Sequence, residues 1–318
     1  MNTKTKQNIN VGVDTGKYQL DIYIRPLDIY FTAPNDDKGI KEAVKTIKKY
    51  KPERIVIEAT GRLEMPFILA CANANLPFTI ANPIHVKRFA GAIGQRAKTD
   101  KLDAQLIAHY SEAIKPKLSQ LKPDTMQAMS DLVTRRNQLL TMQTMEKNRL
   151  QIMPKALAMT IKPVLTLFNN QIKKIEVKIV KLIESCPEYQ AKNIILQSMT
   201  GIGKITAASI ISNLPELGYI NSKQASSLIG VAPMNRESGR YKGHRKIQGG
   251  RPQVRTVLYM AMMSAMQSNP VFKVTYQRLL AAGKPKKVAI IACIRKMIVI
   301  LNSMLRDGVM WEAPKVNN

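Results

Sequence analysis

The sequence predicts an α/β layer domain followed by a longer, mostly helical half. Three observations carry that expectation. Short apolar runs alternate with helical periods over roughly the first 115 residues, and beyond about residue 125 the pattern becomes long, polar and helical. Charge divides at the same place. Residues 1–115 hold 18 Lys and Arg against 12 Asp and Glu, a balance of +6, whereas residues 116–318 hold 31 against 10, a balance of +21. The expected domains are 8–115, 124–186 and 191–307.

Along the first domain, Asn8 to Val13 is a β-prone run ending at Asp14. Tyr18 to Arg25 and Asp28 to Ala33 follow as strands, with Pro26 and Asp28 as turn signals between them. Lys38 to Tyr50 places Ile40, Ala43, Val44 and Ile47 on one helical face. Arg54 to Ile57 reads as a buried strand ending at Glu58. Glu64 to Ala74 reads as a helix, Pro77 to Ala81 as a strand and Pro83 to Ala92 as another helix. Thr99 is placed to cap a helix through Tyr110 that carries Asp100 and Asp103 in its first turn. The order is β-β-β-α-β-α-β-α-α. Beyond it, Thr125 to Gln151 and Ile161 to Cys186 read as two long helices, with Pro154 and Pro163 bracketing a turn, so a helical hairpin or coiled coil is expected. From about Ala191 the chain is helical with Gly-rich turns.

The chain has 318 residues, room for about two domains of ordinary size. Its net charge of +27 with 45% hydrophobic residues excludes a disordered polycation and points to a folded protein that meets a polyanion, nucleic acid first. Between Ser238 and Arg306 there are 14 basic residues and no Asp or Glu, the pattern of a phosphate-binding surface rather than a merely solvated face. Three scattered cysteines argue against a disulfide framework, and with three histidines and no CxxC a zinc finger is excluded. The polar start lacks a signal-peptide core, and Arg295-Lys296 interrupts the most apolar late stretch, so no membrane span is expected. The expected location is cytoplasmic, in association with the nucleoid.

Asp14 and Glu58 each follow a short apolar strand, and Asp100 and Asp103 lie three apart on one helix face. Open α/β sheets place ligands at strand ends, so the four acids are expected to converge. Any one of them, taken alone, is ordinarily a solvated charge or a helix cap. Four together in a small domain of a strongly basic chain favour a hard divalent cation, Mg²⁺, which suits oxygen ligands and leaves positions for phosphate oxygens.

In the second half, Ser198 to Ala208 looks like a helix-hairpin-helix turn in which Gly201 and Gly203 let the backbone near a phosphate and Lys204 opens the next helix. A Gly-Ile-Gly turn between packed helices is an equally common structural device. Ser238 stands between Arg236 and Arg240, with Lys242, Arg245 and Lys246 close behind and Arg251 and Arg255 beyond, so these cations are the candidate nucleic-acid contacts. Serine is a poor nucleophile without a base or metal, and spacing alone leaves Ser238 an ordinary turn residue. Met260 to Met266 reads as core packing; Tyr241, among cations, could stack on a base, but 5% aromatic residues give no stacking platform.

Val11-Gly-Val-Asp14-Thr-Gly-Lys17, Ile57-Glu58-Ala-Thr-Gly61 and Lys98-Thr-Asp100-Lys-Leu-Asp103-Ala104 closely resemble the three N-terminal motifs of the DEDD-type insertion-sequence transposases, a family that includes a pilin-gene invertase and bridge-RNA-guided recombinases. The block from Gly201 through Ser238-Gly239 to Gly249-Gly-Arg251 and Arg255 to Met260 resembles that family's C-terminal domain, although Thr200 and Val231 depart from its usual Pro and Leu. The resemblance implies an RNase H-type, RuvC-like first domain with Asp14, Glu58, Asp100 and Asp103 on Mg²⁺, for which Mn²⁺ would substitute. It implies Ser238 as the nucleophile that takes a DNA phosphate, with the acids and the serine in one composite site. It further implies DNA target and donor ends as substrates, a bridge RNA as guide and a homodimer or homotetramer, with the helical hairpin carrying the subunit contacts. The rival expectations are a structure-specific, Holliday-junction type nuclease using water, a DNA invertase, and a non-catalytic nucleic-acid binder. An actin-like or sugar-kinase ATPase leaves the basic half without a purpose.

Overall fold

The computed structural model describes residues 8–312, apart from residues 96, 98, 236, 239, 240 and 244 and the side chains of Tyr241 and Lys242. The chain divides between Leu121 and Lys122 into two units, and each has its own apolar core.

The first unit runs β1 (Asn10–Thr15), β2 (Gln19–Arg25), β3 (Ile29–Pro34), α1 (Asp37–Lys49), β4 (Arg54–Glu58), α2 (Met65–Asn73), β5 (Phe78–Ala81), α3 (Pro83–Ala92) and α4 (Asp100–Ile114). The five strands form one sheet in the order β3-β2-β1-β4-β5. β1, β2 and β3 pair antiparallel, whereas β4 and β5 run parallel to β1. This is the RNase H-type arrangement, and it follows from the connections. Tight turns join β1 to β2 and β2 to β3, which makes those pairs antiparallel, while helices carry the chain back for β4 and β5, which makes those parallel. The expected element order holds throughout. One detail moves: β1 continues through Asp14 to Thr15, because its pairing with β2 extends to Thr15 opposite Leu20.

Alternation along the strands sorts the two faces. Val11, Val13, Ile55 and Ile57 pack with α1 and α2 in the larger core. The opposite face carries Val56 against Val86 of α3 and Leu106, Ile107 and Tyr110 of α4. There Tyr23 meets Ala104 and Ala108. Gly12 lies on this second face, and α4 rests directly on it: an added Cβ would stand 2.2 Å from the Ala108 nitrogen and 2.3 Å from the Ala104 oxygen. Two polar contacts fix the same helix. Buried Ser111 donates to Asn10 Oδ1 (2.8 Å) and Arg25 pairs with Glu112 (2.6 Å).

The second unit is helical: α5 (Asp124–Ile152), α6 (Lys155–Glu184), α7 (Pro187–Ser198), α8 (Lys204–Asn213) and α9 (Ser222–Leu228) precede four two-residue strands. These are β6 (Pro233–Met234), β7 (Glu237–Ser238), β8 (Tyr241–Lys242) and β9 (Lys246–Ile247), followed by α10 (Pro252–Ser268), α11 (Pro270–Ala281) and α12 (Lys286–Asp307). α5 and α6 form the expected hairpin, but the turn is only Met153-Pro154. Pro163 lies inside α6 instead of bracketing the turn. The Pro163 ring removes the donor to the Met159 carbonyl, and Met159 is exposed, so water can take that carbonyl. At the base of the hairpin Met126, Met129, Val133, Ile179 and Ile183 join the core formed by the later helices. Gln143 donates to Asn169 (2.7 Å) and Arg136 pairs with Glu176 (2.7 Å) between the two helices. α12 is long and apolar enough to cross a membrane, yet Cys293, Ile294, Met297, Ile298 and Leu301 fill the core of this unit, the ordinary role of such a helix. In the methionine-rich run of α10, Met262 is fully buried whereas Met260 faces out.

The four short strands form two ribbons, β6 with β9 and β7 with β8. The feet of this excursion meet. Gly230 (φ +71°) and Gly250 (φ +69°) approach so closely that a Cβ on Gly230 would stand 2.1 Å from the Gly249 oxygen. Arg255 fastens the crossing by donating to the carbonyls of Gly249 (2.8 Å) and Ile229 (3.1 Å).

Candidate active site

Asp14 near the end of β1 and Glu58 at the end of β4 occupy neighbouring parallel strands, one step beyond the Val13–Ile57 pair. Both share the Gly12 face, because each stands two residues from a position packed under α3 or α4. Asp103 enters from above on α4. Asp14, Glu58 and Asp103 line one cleft of about 600 Å³, together with Thr60, Lys87 and Gln95. Asp100, the first residue of α4, is exposed and stands outside that lining, but its charge still acts on Asp14.

Local chemistry explains each placement. Thr99 caps α4 by accepting from the Leu102 N–H (3.3 Å), which sets the rotation of the first turn and hence the direction of Asp103. After β4 the Thr60 N–H donates to buried Glu64 (3.1 Å) and its hydroxyl to the Glu58 carbonyl (3.2 Å), holding the chain as it leaves the sheet. Gly12 removes the side chain that would hold α4 away.

Burial pushes the Asp14 carboxyl above its usual range. The charge of Asp103 adds to this, those of Asp100 and Asp21 add less, and a hydrogen bond from the Thr15 backbone opposes it. Asp21 is a neighbour of the site that the sequence pattern does not single out. It sits on β2 directly opposite Asp14, is buried, and accepts from the Tyr30 hydroxyl (2.6 Å) and Gln19 (3.1 Å). Its signal is its alternation with Tyr23 on the α4 face.

Such mutual repulsion is what a cation relieves. The donors are all hard oxygens and, among the described residues, no thiol or imidazole lines the cleft, so the residues fit Mg²⁺ or Mn²⁺. Among the described residues no three His, Cys, Asp or Glu side chains stand close enough together to hold a metal ion as they are placed here.

In the second unit, Ser238 is exposed on β7, paired with Tyr241. Arg245 reaches Glu237 beside it (3.7 Å), and Arg245 and Lys246 are exposed. Arg236 and Arg240 lie outside the described residues, as does the side chain of Lys242. Two of the expected nucleic-acid contacts, Arg251 and Arg255, also make hydrogen bonds within the fold. Arg251 donates to both Glu216 oxygens (2.7 and 2.5 Å) and to the Asn213 carbonyl (2.8 Å), and Arg255 holds the glycine crossing. Gly201 (φ +103°) also serves packing: a Cβ there would stand 2.7 Å from Ala265 of α10, so the missing side chain lets that helix approach. Gly203 and exposed Lys204 open α8 with no side-chain cap and no obstruction near Gly203 among the described residues.

A family profile described as Transposase matches residues 11–157, and one described as Transposase IS116/IS110/IS902 family matches residues 193–277. The pilin gene-inverting proteins of Moraxella bovis and Moraxella lacunata are each 26% identical over 313 residues, covering 94% of this chain and 96% of the relative. The insertion element IS110 43.6 kDa protein of Streptomyces coelicolor is 28% identical over 151 residues, 47% of this chain and 36% of that protein. Among solved structures, T. thermophilus RuvC in complex with Holliday junction substrate is 15% identical with a TM-score of 0.28, covering 36% of this chain and 100% of that one.

Proposed function

The chain belongs to the IS116/IS110/IS902 family of insertion-element transposases, and from that membership we propose that it cuts and rejoins DNA through a covalent bond to Ser238. The observation that carries the proposal is the convergence of Asp14, Glu58 and Asp103 from two adjacent parallel strands and one helix on a single cleft.

In the proposed reaction the Ser238 oxygen attacks the phosphorus of a DNA phosphodiester. The bond from phosphorus to one sugar oxygen breaks, that oxygen leaves as a hydroxyl carrying the proton lost by the serine, and the other strand end stays on the protein as a phosphoserine ester. Attack by a different DNA hydroxyl reverses each of these changes, so strands rejoin without an external energy source. Asp14, Glu58 and Asp103 would hold the divalent cation, with Asp100, the fourth expected ligand, at the exposed start of α4 outside the cleft lining. When bound, Mg²⁺ supplies positive charge that separates the carboxylates and polarises the phosphodiester. Exposed Arg245, Lys246 and Lys204 would bind the DNA backbone. Pairing of target and donor by a bridge RNA would leave sequence choice to bases rather than to this protein, and a dimer or tetramer would bring two DNA sites together.

Inversion is the second reading, favoured by the near full-length match to the pilin gene-inverting proteins. It uses the same cutting chemistry on two sites in one molecule. The test is denaturing electrophoresis of labelled DNA from the gene's flanks, incubated with Mg²⁺ and with RNA transcribed from those flanks. Wild type should yield a protein–DNA adduct; Ser238→Ala should yield none while binding DNA normally. Cleavage without any adduct would replace this proposal with a water-using nuclease.

A further inference from the structure

Between the β6–β9 ribbon, α10 and the start of α12 lies a second cleft of about 780 Å³, within the range that holds a drug-sized ligand. Its apolar lining comes from half-buried Ile291 and Ala292 and exposed Val288 of α12, together with half-buried Tyr259 of α10. Its rim is cationic: Arg245 and Lys246 on the ribbon side, Lys287 and Arg295 on the helix side, all exposed. Among the described residues no carboxylate lines it. The apolar lining beside a tyrosine suits the flat face of a base, and the four cations suit the phosphates on either side of that base. A fully paired duplex hides its base faces by stacking, so only an unpaired base can enter.

The cleft also has an address. Arg245, on its rim, pairs with Glu237, the residue adjoining Ser238. A strand whose phosphate met Ser238 would therefore lie near the mouth of this cleft. Resting on the reading that Ser238 attacks DNA, we propose that this cleft seats one unpaired base of the DNA strand being cut. Holding that base out of the duplex would fix the neighbouring phosphate in register with the serine and would give cleavage a requirement for local strand opening.

The test is binding by fluorescence anisotropy in EDTA, where no cutting occurs, with wild-type full-length protein at one fixed salt concentration. The probes are a labelled single-stranded DNA of about 12 nucleotides, the same strand made abasic throughout so that only phosphates remain, and the RNA of the same sequence. The intact DNA should bind at least about fivefold more tightly than the abasic strand. Ala292→Trp, which fills the cleft and removes no charge, should bring the two affinities within about twofold while leaving the salt dependence unchanged. Equal affinity of wild type for intact and abasic DNA overturns the base pocket yet leaves the Ser238 chemistry standing, since adduct formation is scored separately. A base preference seen with RNA alone overturns the assignment to DNA. No binding to any probe overturns the base pocket, while the Ser238 chemistry is again judged by adduct formation alone. If Ala292→Trp fails to fold, the comparison of intact and abasic DNA on wild type still decides.

Discussion

Replacing Gly12 with alanine should damage both stability and cleavage, although the residue touches no substrate. Its backbone is ordinary extended strand, and in such a setting Gly→Ala stabilises a protein by about 0.4–1 kcal/mol through the unfolded chain. Here the new methyl would stand 2.2 Å from the Ala108 nitrogen, 2.3 Å from the Ala104 oxygen and 2.9 Å from the Ala108 Cα, where ordinary contacts begin near 3.4 Å. The atoms in the way are the backbone of α4, which cannot rotate aside as a side chain can, so the helix must retreat by roughly 1 Å. Overpacking of this kind costs about 1–3 kcal/mol, which corresponds to a fall of roughly 3–10 °C in the melting temperature of this unit. The same retreat carries Asp100 and Asp103 away from Asp14 and Glu58, and a displacement of about 1 Å in a reacting constellation costs on the order of 100-fold in rate. Scanning calorimetry in EDTA reads the first effect and single-turnover cleavage in Mg²⁺ the second. A Gly12→Ala protein that melts within about 1 °C of wild type and cuts at an unchanged rate would refute the claim that α4 is seated on that glycine.

Asp14→Asn should raise the melting temperature in EDTA at neutral pH while abolishing cleavage. The folded state raises the Asp14 pKa above its unfolded value, so whatever stability the carboxyl contributes is present below about pH 4 and lost as the pH climbs through the raised value. The gain from asparagine should therefore shrink on acidification, and melts taken across that range in EDTA check it. Arg251→Ala should destabilise the second unit by about 1–2 kcal/mol, a half-exposed ion pair being worth less than a buried one. Burial pushes the Glu216 carboxyl up, but the Arg251 hydrogen bond and charge bring it below its ordinary value, so this stability is present above the unfolded pKa and is lost as pH falls through the folded one. Urea unfolding of wild type and variant at neutral and acidic pH would show the difference closing with acid. Changing Arg245 and Lys246 together to alanine should flatten the dependence of DNA affinity on salt by about 0.9 for each phosphate no longer neutralised, whereas an unchanged slope would place both cations away from the backbone.

The first unit is legible in the sequence because its signals are local. Apolar runs of strand length ending in Asp14 and Glu58, and a Thr99 cap followed by two aspartates, are patterns that tight turns and crossover helices convert directly into positions on one sheet. Asp21 is hidden because a polar residue inside a strand reads as solvent-facing until its partner strand is known. Its burial against Tyr30 depends on register. In the second unit the limits are different. Two-residue strands leave no periodicity to read, so the ribbons bearing Ser238 are invisible in the sequence. Arginines carry the same letter whether they face solvent or brace the fold, and only three-dimensional neighbours separate exposed Arg245 from Arg251 and Arg255. Pro163 misleads for a physical reason: a proline inside an exposed stretch of helix forfeits one hydrogen bond that water replaces.

The crossing of Gly230 with Gly249 and Gly250 bears on how this protein can change over evolutionary time. The chain leaves the core after Val231 and returns to it beside Gly249 and Gly250, where Arg255 fastens the crossing. Lengthening a loop whose ends are already held together costs only about 0.6 kcal/mol for each doubling of its length. The segment that bears Ser238 can therefore gain or lose residues, or be exchanged for that of a relative, without asking the helical core to adapt. That segment can thus vary at little risk to folding, whereas the crossing itself, where neither Gly230 nor Gly250 has room for a side chain, tolerates almost no change.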